Sequence, residues 1–418
     1  MSAEDNRTQA RAATAQVEAA LSRPPAFIDR DALSNGITTF LFAATGPLAI
    51  LITVARDGGL SEADLASWIF GAYGLGGVVS LFFCVRYRQP LGFAWTIPGA
   101  LLLPSAFNHL SFAEIIGAYW VTGLLIALLG WTGLITSVMR RIPMPIVMGM
   151  VAGVFLPLGL KVVKAFTEDL ALAGVALGVF LVFTHYPALG RRLPPVLAAL
   201  LAGGVVAWMT GAMTEISGAA VVLARPVLYR PEISLQALVE LVVPLAITVL
   251  GIQNAQGFAV LKHAGHPAPV KAVTVGSGLA TLLFALVGSV PACLTGPVNA
   301  ILVSSGNPRM QWLGGIVFAA AMMGFGLLAP SSTSLALALP LSLIGLIGGL
   351  AMLRVLQGAF KVAFSGECTL GALVAFVVSI AGIPIFNIGA PFWGLVFAFA
   401  ASWLLERDQL RKLTAEYE

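Results

Sequence analysis

Two short segments, one in each half of the chain, carry residue types that could bind an anion. Residues 94–103 and 293–302 each place a threonine two positions before a proline, just ahead of an apolar run. Proline is favoured in the first turn of a helix, so Pro98 and Pro297 predict the starts of two short helices. The N-terminus of a helix offers unpaired N–H groups and a partial positive charge. Two such ends that converge, formed by Thr96, Pro98 and Gly99 and by Thr295, Gly296 and Pro297, would bind an anion without a basic side chain.

Amide and aromatic side chains close to these segments could complete such a site. Gln253 and Asn254 lie in an apolar helical stretch, and Asn299 follows Pro297. Their amides could donate to a bound carboxylate, or they could only hydrogen-bond between helices. Phe93 and Trp95 could stack on a ring-shaped ligand, or they could only pack in the protein interior or against lipid.

The prolines allow a plainer interpretation, in which they are two kinks that only shape helix packing. We favour a site because the two breaks take corresponding places in the two halves of the chain. Residues 92–96 and 291–295 are then predicted to be extended. At membrane depth such backbone is tolerated only where it is buried in protein or lines a cavity.

Composition identifies the class of protein that must position these segments. The chain has 418 residues, of which 58% are hydrophobic and only 10% are charged. This composition predicts an all-α polytopic membrane protein, and a span needs about 20 apolar residues. We predict about fourteen spans, near residues 36–54, 64–84, 90–108, 113–138, 143–163, 169–186, 194–213, 236–256, 270–289, 291–305, 309–329, 333–353, 366–383 and 387–405.

The distribution of positive charge predicts the orientation of these spans. With both termini in the cytoplasm, most Lys and Arg residues fall on the inner side, as the positive-inside rule requires. The positive residues that fall outside are Arg56, Lys161, Lys164, Arg225 and Arg230. Residues 1–35 and 406–418 are then polar cytosolic tails, and residues 214–235 form an external loop.

The two sets of spans predict an internal repeat. Residues 36–213 hold spans 1–7 and residues 236–405 hold spans 8–14. Two homologous halves with an odd number of spans must be inverted relative to each other, which gives a 7+7 inverted repeat with broken spans 3 and 10. Broken helices in an inverted repeat are typical of secondary transporters, with the substrate site at the breaks.

Other chemistries find little support in the sequence. Glu114 and Glu240 are the weak candidates for proton coupling, but both fall near predicted span ends, where an interfacial or helix-terminal charge is the favoured interpretation. The histidines and cysteines show no metal-ligand or catalytic spacing, and no Walker-type loop is present. We therefore expect no enzyme activity, cofactor, metal or nucleic-acid partner.

The chain resembles the benzoate membrane transporter family, the benzoate:proton symporters called BenE. The resemblance rests on Ala-Trp-Thr-Ile-Pro-Gly-Ala at 94–100, Gln-Asn at 253–254 with a glycine at 257, Thr-Gly-Pro at 295–297 and Phe-Asn-Ile-Gly-Ala-Pro-Phe-Trp-Gly at 386–394. It extends over residues 30–405.

The resemblance implies a fold similar to that of the nucleobase/ascorbate carriers and sulfate permeases. Spans 1–4 and 8–11 would form a core that carries the substrate, and spans 5–7 and 12–14 a gate. The implied function is uptake of benzoate or another small aromatic monocarboxylate with a proton, across a bacterial-type inner membrane. An uncoupled anion channel or uniporter stays open, as does a carrier of a nucleobase, sulfate or an aliphatic acid. A homodimer and a monomer are both open.

Overall fold

The computed structural model describes residues 29–134, 143–214, 222–386 and 388–415. Within these residues the fold is helical apart from two strands of three residues each, β1 (Phe93–Trp95) and β2 (Ala292–Leu294). The helices, in chain order, are α1 (Arg30–Ala43), α2 (Gly46–Asp57), α3 (Glu62–Tyr87), α4 (Ile97–Ala100), α5 (Leu103–Ala106), α6 (Phe112–Thr132), α7 (Met144–Glu168), α8 (Leu170–His185), α9 (Pro187–Arg192), α10 (Pro195–Met209), α11 (Leu235–His263), α12 (Val270–Leu286), α13 (Gly296–Leu302), α14 (Gln311–Leu327), α15 (Ala329–Ala338), α16 (Leu341–Phe364), α17 (Thr369–Ala381), α18 (Ala390–Leu405) and α19 (Arg407–Ala415).

Several of these helices have the length and apolarity needed to cross a bilayer. Among the described residues, six qualify when α1 and α2 are taken as one helix, and a seventh does if α14 and α15, bent by 75°, form one span. Six further apolar segments are shorter, including the segment Ile97–Ala106. The chain is therefore a polytopic membrane protein, while the fourteen spans and their 7+7 repeat stay a prediction.

Two helix boundaries differ from the predicted spans. Helix α1 begins at Arg30 because the Asp29 side chain caps it, accepting hydrogen bonds from the backbone N–H of Asp31 and Ala32. Part of the predicted tail is therefore helical, and residues 1–28 lie outside the described residues. The span predicted near 333–353 is divided at Pro340, where α15 has ended and α16 begins. Proline explains this division, because its ring blocks continuation of the preceding helix.

Helix packing divides the described helices into two groups. In one group α6 packs against α12, and α14 packs against α1 and α3. In the other, α7 packs against α16 and α17, α17 against α18, and α8 against α10. Helix α2 belongs to the first group with α1, α4 and α5, which it contacts, and its contact with α16 is one of those that connect the groups. We call them the first and second helix groups.

Small residues allow the backbones of neighbouring helices to approach closely. Such packing is expected in lipid, where no hydrophobic driving force brings helices together. At the crossing of α1 and α14, a methyl group added to Gly36 would lie only 2.3 Å from the carbonyl oxygen of Gly314. The two strands are packed within the first helix group, β1 against α3 and β2 against α11 and α12. Their position is thus set by contacts with α3, α11 and α12.

Candidate functional site

The strands β1 and β2 bring the two threonine–proline segments side by side. They pair antiparallel, with Ala94 opposite Cys293 at the centre. Thr96 N–H donates to the carbonyl of Pro291 (2.9 Å), and Thr295 N–H donates to the carbonyl of Gly92 (3.3 Å). Each threonine thus binds the residue that precedes the opposite strand. We call residues 92–100 the first junction and residues 291–299 the second junction.

Hydroxyl groups from neighbouring helices satisfy the outer edges of this small sheet. Phe93 N–H donates to Ser80 Oγ on α3 (2.9 Å), and Ala292 N–H donates to Thr281 Oγ1 on α12 (3.1 Å). Edge N–H groups that are buried away from water need protein acceptors. The two junctions are therefore supported in the same way by equivalent partners.

The first junction is closed by its own threonine. Thr96 is fully buried, and its Oγ1 accepts a hydrogen bond from Gly99 N–H (3.2 Å), capping α4. The same hydroxyl donates to Thr248 Oγ1 (3.1 Å), which donates to the carbonyl of Leu245 (2.8 Å). Pro98 has no N–H to offer. Of the donors at this helix start, the Gly99 N–H is thus occupied, and the Ile97 N–H has no acceptor within the helix.

The second junction is more open. Thr295 makes no side-chain cap on α13, and its Oγ1 lies 3.4 Å from Cys293 Sγ. Since the first N–H groups of a helix have no acceptor within it, Gly296 and Val298 present unpaired donors there. Gln256 packs against this end, so that a methyl group added to Gly296 would lie 2.6 Å from its Cβ and 2.8 Å from its Oε1. Gln256 is exposed, and sequence reasoning missed it, although it lies one helical turn from Gln253.

The predicted asparagines hold the backbone of the junctions. Asn254 accepts from Leu294 N–H (2.7 Å) and donates to Ser277 Oγ (3.1 Å). Asn299 accepts from the N–H of Gly92 (3.0 Å) and donates to the carbonyls of Gly92 (3.0 Å) and Thr295 (2.8 Å). Both side chains are buried, so in this conformation their amides are engaged with protein. Direct contact with a ligand stays a prediction for both.

Gln253 differs from the asparagines. It is buried, and its Oε1 has no hydrogen-bond partner among the described residues. An unpartnered buried amide oxygen is unfavourable by about 1–3 kcal/mol. Gln253 is therefore a predicted amide whose oxygen is left free to accept a hydrogen bond.

The two aromatic rings of β1 lie in the protein interior. Phe93 is fully buried and packs on Phe83 of α3, with ring centroids 4.6 Å apart. Trp95 is buried and hydrogen-bonds to Tyr73, whose hydroxyl donates to the carbonyl of Ala43 (2.6 Å). The packing of Phe93 explains its burial without a ligand, and a stacking role stays a prediction for both rings.

The structure also brings together a histidine and an acid that the sequence does not connect. His109 Nε2 lies 2.7 Å from Glu240 Oε2, and the Glu240 side chain is only 3% exposed. Nothing local in the sequence signals this pair, because its members are far apart along the chain. Glu114, by contrast, forms a capping box with Ser111 at the start of α6. Its place is that of an ordinary helix-terminal charge.

A cavity of about 310 Å³ lies between the two helix groups. Its wall includes Asp57, Ser105 and Asn108 from the first group and Lys161 and Ser379 from the second. Asp57 and Lys161 form an ion pair at 3.2 Å. Among the described residues, no cluster of three or more His, Cys, Asp or Glu side chains could hold a metal ion.

Comparison with solved structures shows where this fold occurs. The transmembrane domain of the cyanobacterial bicarbonate transporter BicA matches with a TM-score of 0.61 and 16% identity, over 88% of this chain and 97% of that one. The murine anion transporter Slc26a9 in an inward-facing state matches with a TM-score of 0.64 and 11% identity, over 94% of this chain and 71% of that one. At these identities the likeness concerns the fold.

Sequence comparison identifies closer relatives. The inner membrane protein YdcO of Escherichia coli is 32% identical over 372 residues, 87% of this chain and 93% of YdcO. A benzoate membrane transport protein of Acinetobacter baylyi is 27% identical over 377 residues, 88% of this chain and 94% of that protein. The family model BenE, benzoate membrane transport protein, matches residues 26–404. Since this match covers nearly all of the helical region described above, the chain belongs to the BenE family of membrane transport proteins.

Proposed function

We propose that this chain is a secondary active transporter that takes up a small aromatic monocarboxylate, benzoate above others, together with a proton. One observation carries the proposal: two strand–helix junctions meet in the protein interior, and the second leaves helix N–H donors open beside Gln256. The family and the name of the Acinetobacter relative support benzoate as the substrate.

The carboxylate would bind at the second junction. The N–H groups of Gly296 and Val298 point along the axis of α13, where the partial positive charge of a helix start favours an anion. Gln256 would donate from the side through its amide nitrogen, and Gln253 would do so with its amide turned to present the nitrogen. Thr96, Pro98 and Gly99 would form the opposite wall. Asn254 and Asn299 would act by holding the strands that aim these groups.

The pseudo-symmetry of the junctions supports the inverted-repeat proposal. The reciprocal hydrogen bonds of Thr96 and Thr295 are related by a two-fold axis through the centre of the sheet. An antiparallel pair from the two halves is what inverted repeats would produce. On this proposal residues 36–213 and 236–405 are the repeats, separated by a loop at 214–235.

The two helix groups support a division into core and gate. The first group would be the core of spans 1–4 and 8–11, which carries both junctions, and the second would be the gate of spans 5–7 and 12–14. Transport would follow from movement of the core against the gate, with the site carried along. The cavity lined by Asp57 and Lys161 lies on this boundary.

Energetics favour coupling to a cation. Import of a monovalent anion against an inside-negative potential requires about 2.3 kcal/mol per 100 mV. Co-transport with a proton makes the step electroneutral and removes this opposition. We place the protein in the bacterial inner membrane with both termini in the cytoplasm, in keeping with the name of the YdcO relative. A homodimer is the assembly to test first.

A ligand panel on the detergent-purified protein tests the substrate proposal. Benzoate, hydroxybenzoates, nicotinate, acetate, sulfate, uracil and xanthine would be compared by thermal shift at two pH values. Selective stabilisation by the aromatic carboxylates is expected. Stabilisation only by nucleobases, sulfate or acetate would contradict the substrate while leaving the carrier fold intact.

A further inference from the structure

The buried pair of His109 and Glu240 occupies an unusual place in the fold. His109 lies between α5 and α6, and Glu240 lies in a π-helical turn of α11 (Leu238–Val242). Both elements belong to the side of the molecule that carries the junctions. Facing them is Gly389, the residue that directly precedes α18 of the second helix group. The pair therefore lies where the two helix groups meet.

The two oxygens of Glu240 have different surroundings. Oε2 is bonded to His109 at 2.7 Å. Oε1 is buried, has no hydrogen bond of normal geometry among the described residues, and lies so close to Gly389 that a methyl group added there would be 2.4 Å from it. The same methyl group would be 3.1 Å from Ser105 Oγ. Only a glycine at position 389 allows the backbone there to lie this close to the Glu240 carboxylate.

Water can reach this place with little rearrangement. Ser105, which lies beside Gly389, and Pro391, which follows it, both line the cavity of about 310 Å³ between the helix groups. The pair is thus one layer behind the cavity wall. A small displacement of Gly389 from Glu240 would let cavity water hydrate the carboxylate.

Few other charges compete at this position. His109 is the one titratable side chain that the described residues bring against Glu240. The neighbouring helix α6 contributes Glu114, which interacts with His109 electrostatically but is held in its own capping box. Asp57 and Lys161 neutralise each other across the cavity. The charge of this site is therefore decided by the protons held on His109 and Glu240.

We propose that His109 and Glu240 form a proton-binding site at the boundary of the helix groups, and that one proton there controls whether Gly389 stays packed against Glu240. This inference rests on the proposed transport function and names the group that would carry its proton. A neutral histidine and a carboxylate together carry one negative charge. When one further proton binds, the pair has no net charge and can stay buried. Without it, a net negative charge remains away from water, with only the Gly389 backbone beside the second carboxylate oxygen, which is unfavourable.

The sign of the effect follows from that charge balance. Proton uptake from the cavity favours the closed contact between the helix groups. Proton loss to the cavity favours its opening, because the carboxylate then needs water. Proton binding and release at the pair would thus be coupled to the movement of the helix groups proposed for transport. The proton and the substrate carboxylate would bind at separate sites.

A conformational measurement tests the pair without any substrate. Spin labels at Asn108→Cys, which lines the cavity, and at Ile383→Cys, next to the cavity-lining Gly382, would occupy two exposed positions. They would report the distance between the helix groups by electron paramagnetic resonance. The native cysteines Cys84, Cys293 and Cys368 are buried, so labelling is confined to the introduced sites. The ratio of open to closed populations should rise about tenfold or more between about pH 6 and about pH 8.

Variants decide which group is responsible. Glu240→Gln removes the titrating carboxylate with little change in shape, and its distance distribution should not change with pH. The matched control Glu114→Gln, an acid close to His109 but outside the pair, should keep the full response. A response that survives Glu240→Gln, or is absent from the unsubstituted protein, would overturn the proposal.

Transport separates this inference from the proposed function. In liposomes, Glu240→Gln should still exchange labelled for unlabelled benzoate but should lose accumulation driven by an inward proton gradient. Gradient-driven accumulation by Glu240→Gln at the rate of the unsubstituted protein would overturn the inference alone. If the unsubstituted protein carries no benzoate, the proposed substrate fails, and the spin-label measurement still decides the role of the pair.

Discussion

The first and second junctions have the same backbone geometry but different chemistry. In the first junction Thr96 caps its helix and is linked through Thr248 to α11. In the second junction Thr295 leaves its helix uncapped, and Asn299 clamps the backbone of Gly92 instead. One junction is thus closed by its own side chain, and the other has its strand fixed while its helix N–H groups stay open. From this difference we propose that an anion binds chiefly at the second junction, and three sets of substitutions test it.

The largest effect is expected for Asn299→Leu. This change removes the acceptor of Gly92 N–H and the donor to Gly92 C=O inside the protein. Buried backbone groups left without partners should lower the free energy of unfolding by about 2–5 kcal/mol. The thermal unfolding temperature of the detergent-purified variant would be compared with that of Asn108→Leu, which changes an exposed asparagine. Equal stability of the two variants would show that Asn299 does not hold the junctions together.

A smaller effect, on binding more than on stability, is expected for Gly296→Ala. The added methyl group would press on Gln256 and cover the N–H groups at the start of α13. Benzoate affinity, measured by calorimetry, should fall about tenfold, or about 1.4 kcal/mol. Gly324→Ala is the matched control, because a methyl group added there meets nothing within 4 Å. If Gly296→Ala binds benzoate as tightly as this control, the carboxylate does not lie at the second junction.

The smallest effect separates the two threonines. Thr96→Val removes a helix cap and should lower the free energy of unfolding by about 1 kcal/mol. Thr295→Val removes no cap and should change it by less, since among the described residues its hydroxyl has Cys293 Sγ alone as a hydrogen-bond partner. Denaturant or thermal unfolding of both variants gives the comparison directly. Equal losses would mean that the junctions are closed alike, which would remove the basis for an asymmetric site.

Much of the fold could be predicted from the sequence, because a bilayer restricts the structures that a long apolar segment can form. Long apolar segments can only be spanning helices, and residues 92–96 and 291–295, predicted to be extended at the two prolines, contain the strands. The family resemblance is confirmed by the match over residues 26–404. The exact helix ends could not be predicted from hydropathy. The start of α1 depends on the side-chain cap of Asp29, and the break before α16 depends on the steric clash of the Pro340 ring.

The details of the site could not be predicted, because they depend on contacts between distant residues. The sequence marks Asn254 and Asn299 as polar groups in apolar surroundings but does not say whether they face a ligand or a backbone carbonyl. His109 and Glu240 meet only because α11 packs beside the segment before α6. Gln256 could have been suspected from its helical spacing to Gln253, but its contact with Gly296 requires the junction to be built.

Coupled transport is the central claim, and uptake by the purified protein in liposomes tests it most directly. Labelled benzoate would be offered with an imposed inward proton gradient, without a gradient, and with the gradient collapsed by a protonophore. Accumulation above the external concentration only while the gradient lasts is the predicted result. Uptake that never exceeds equilibrium under any gradient would contradict the account and identify an uncoupled channel or uniporter.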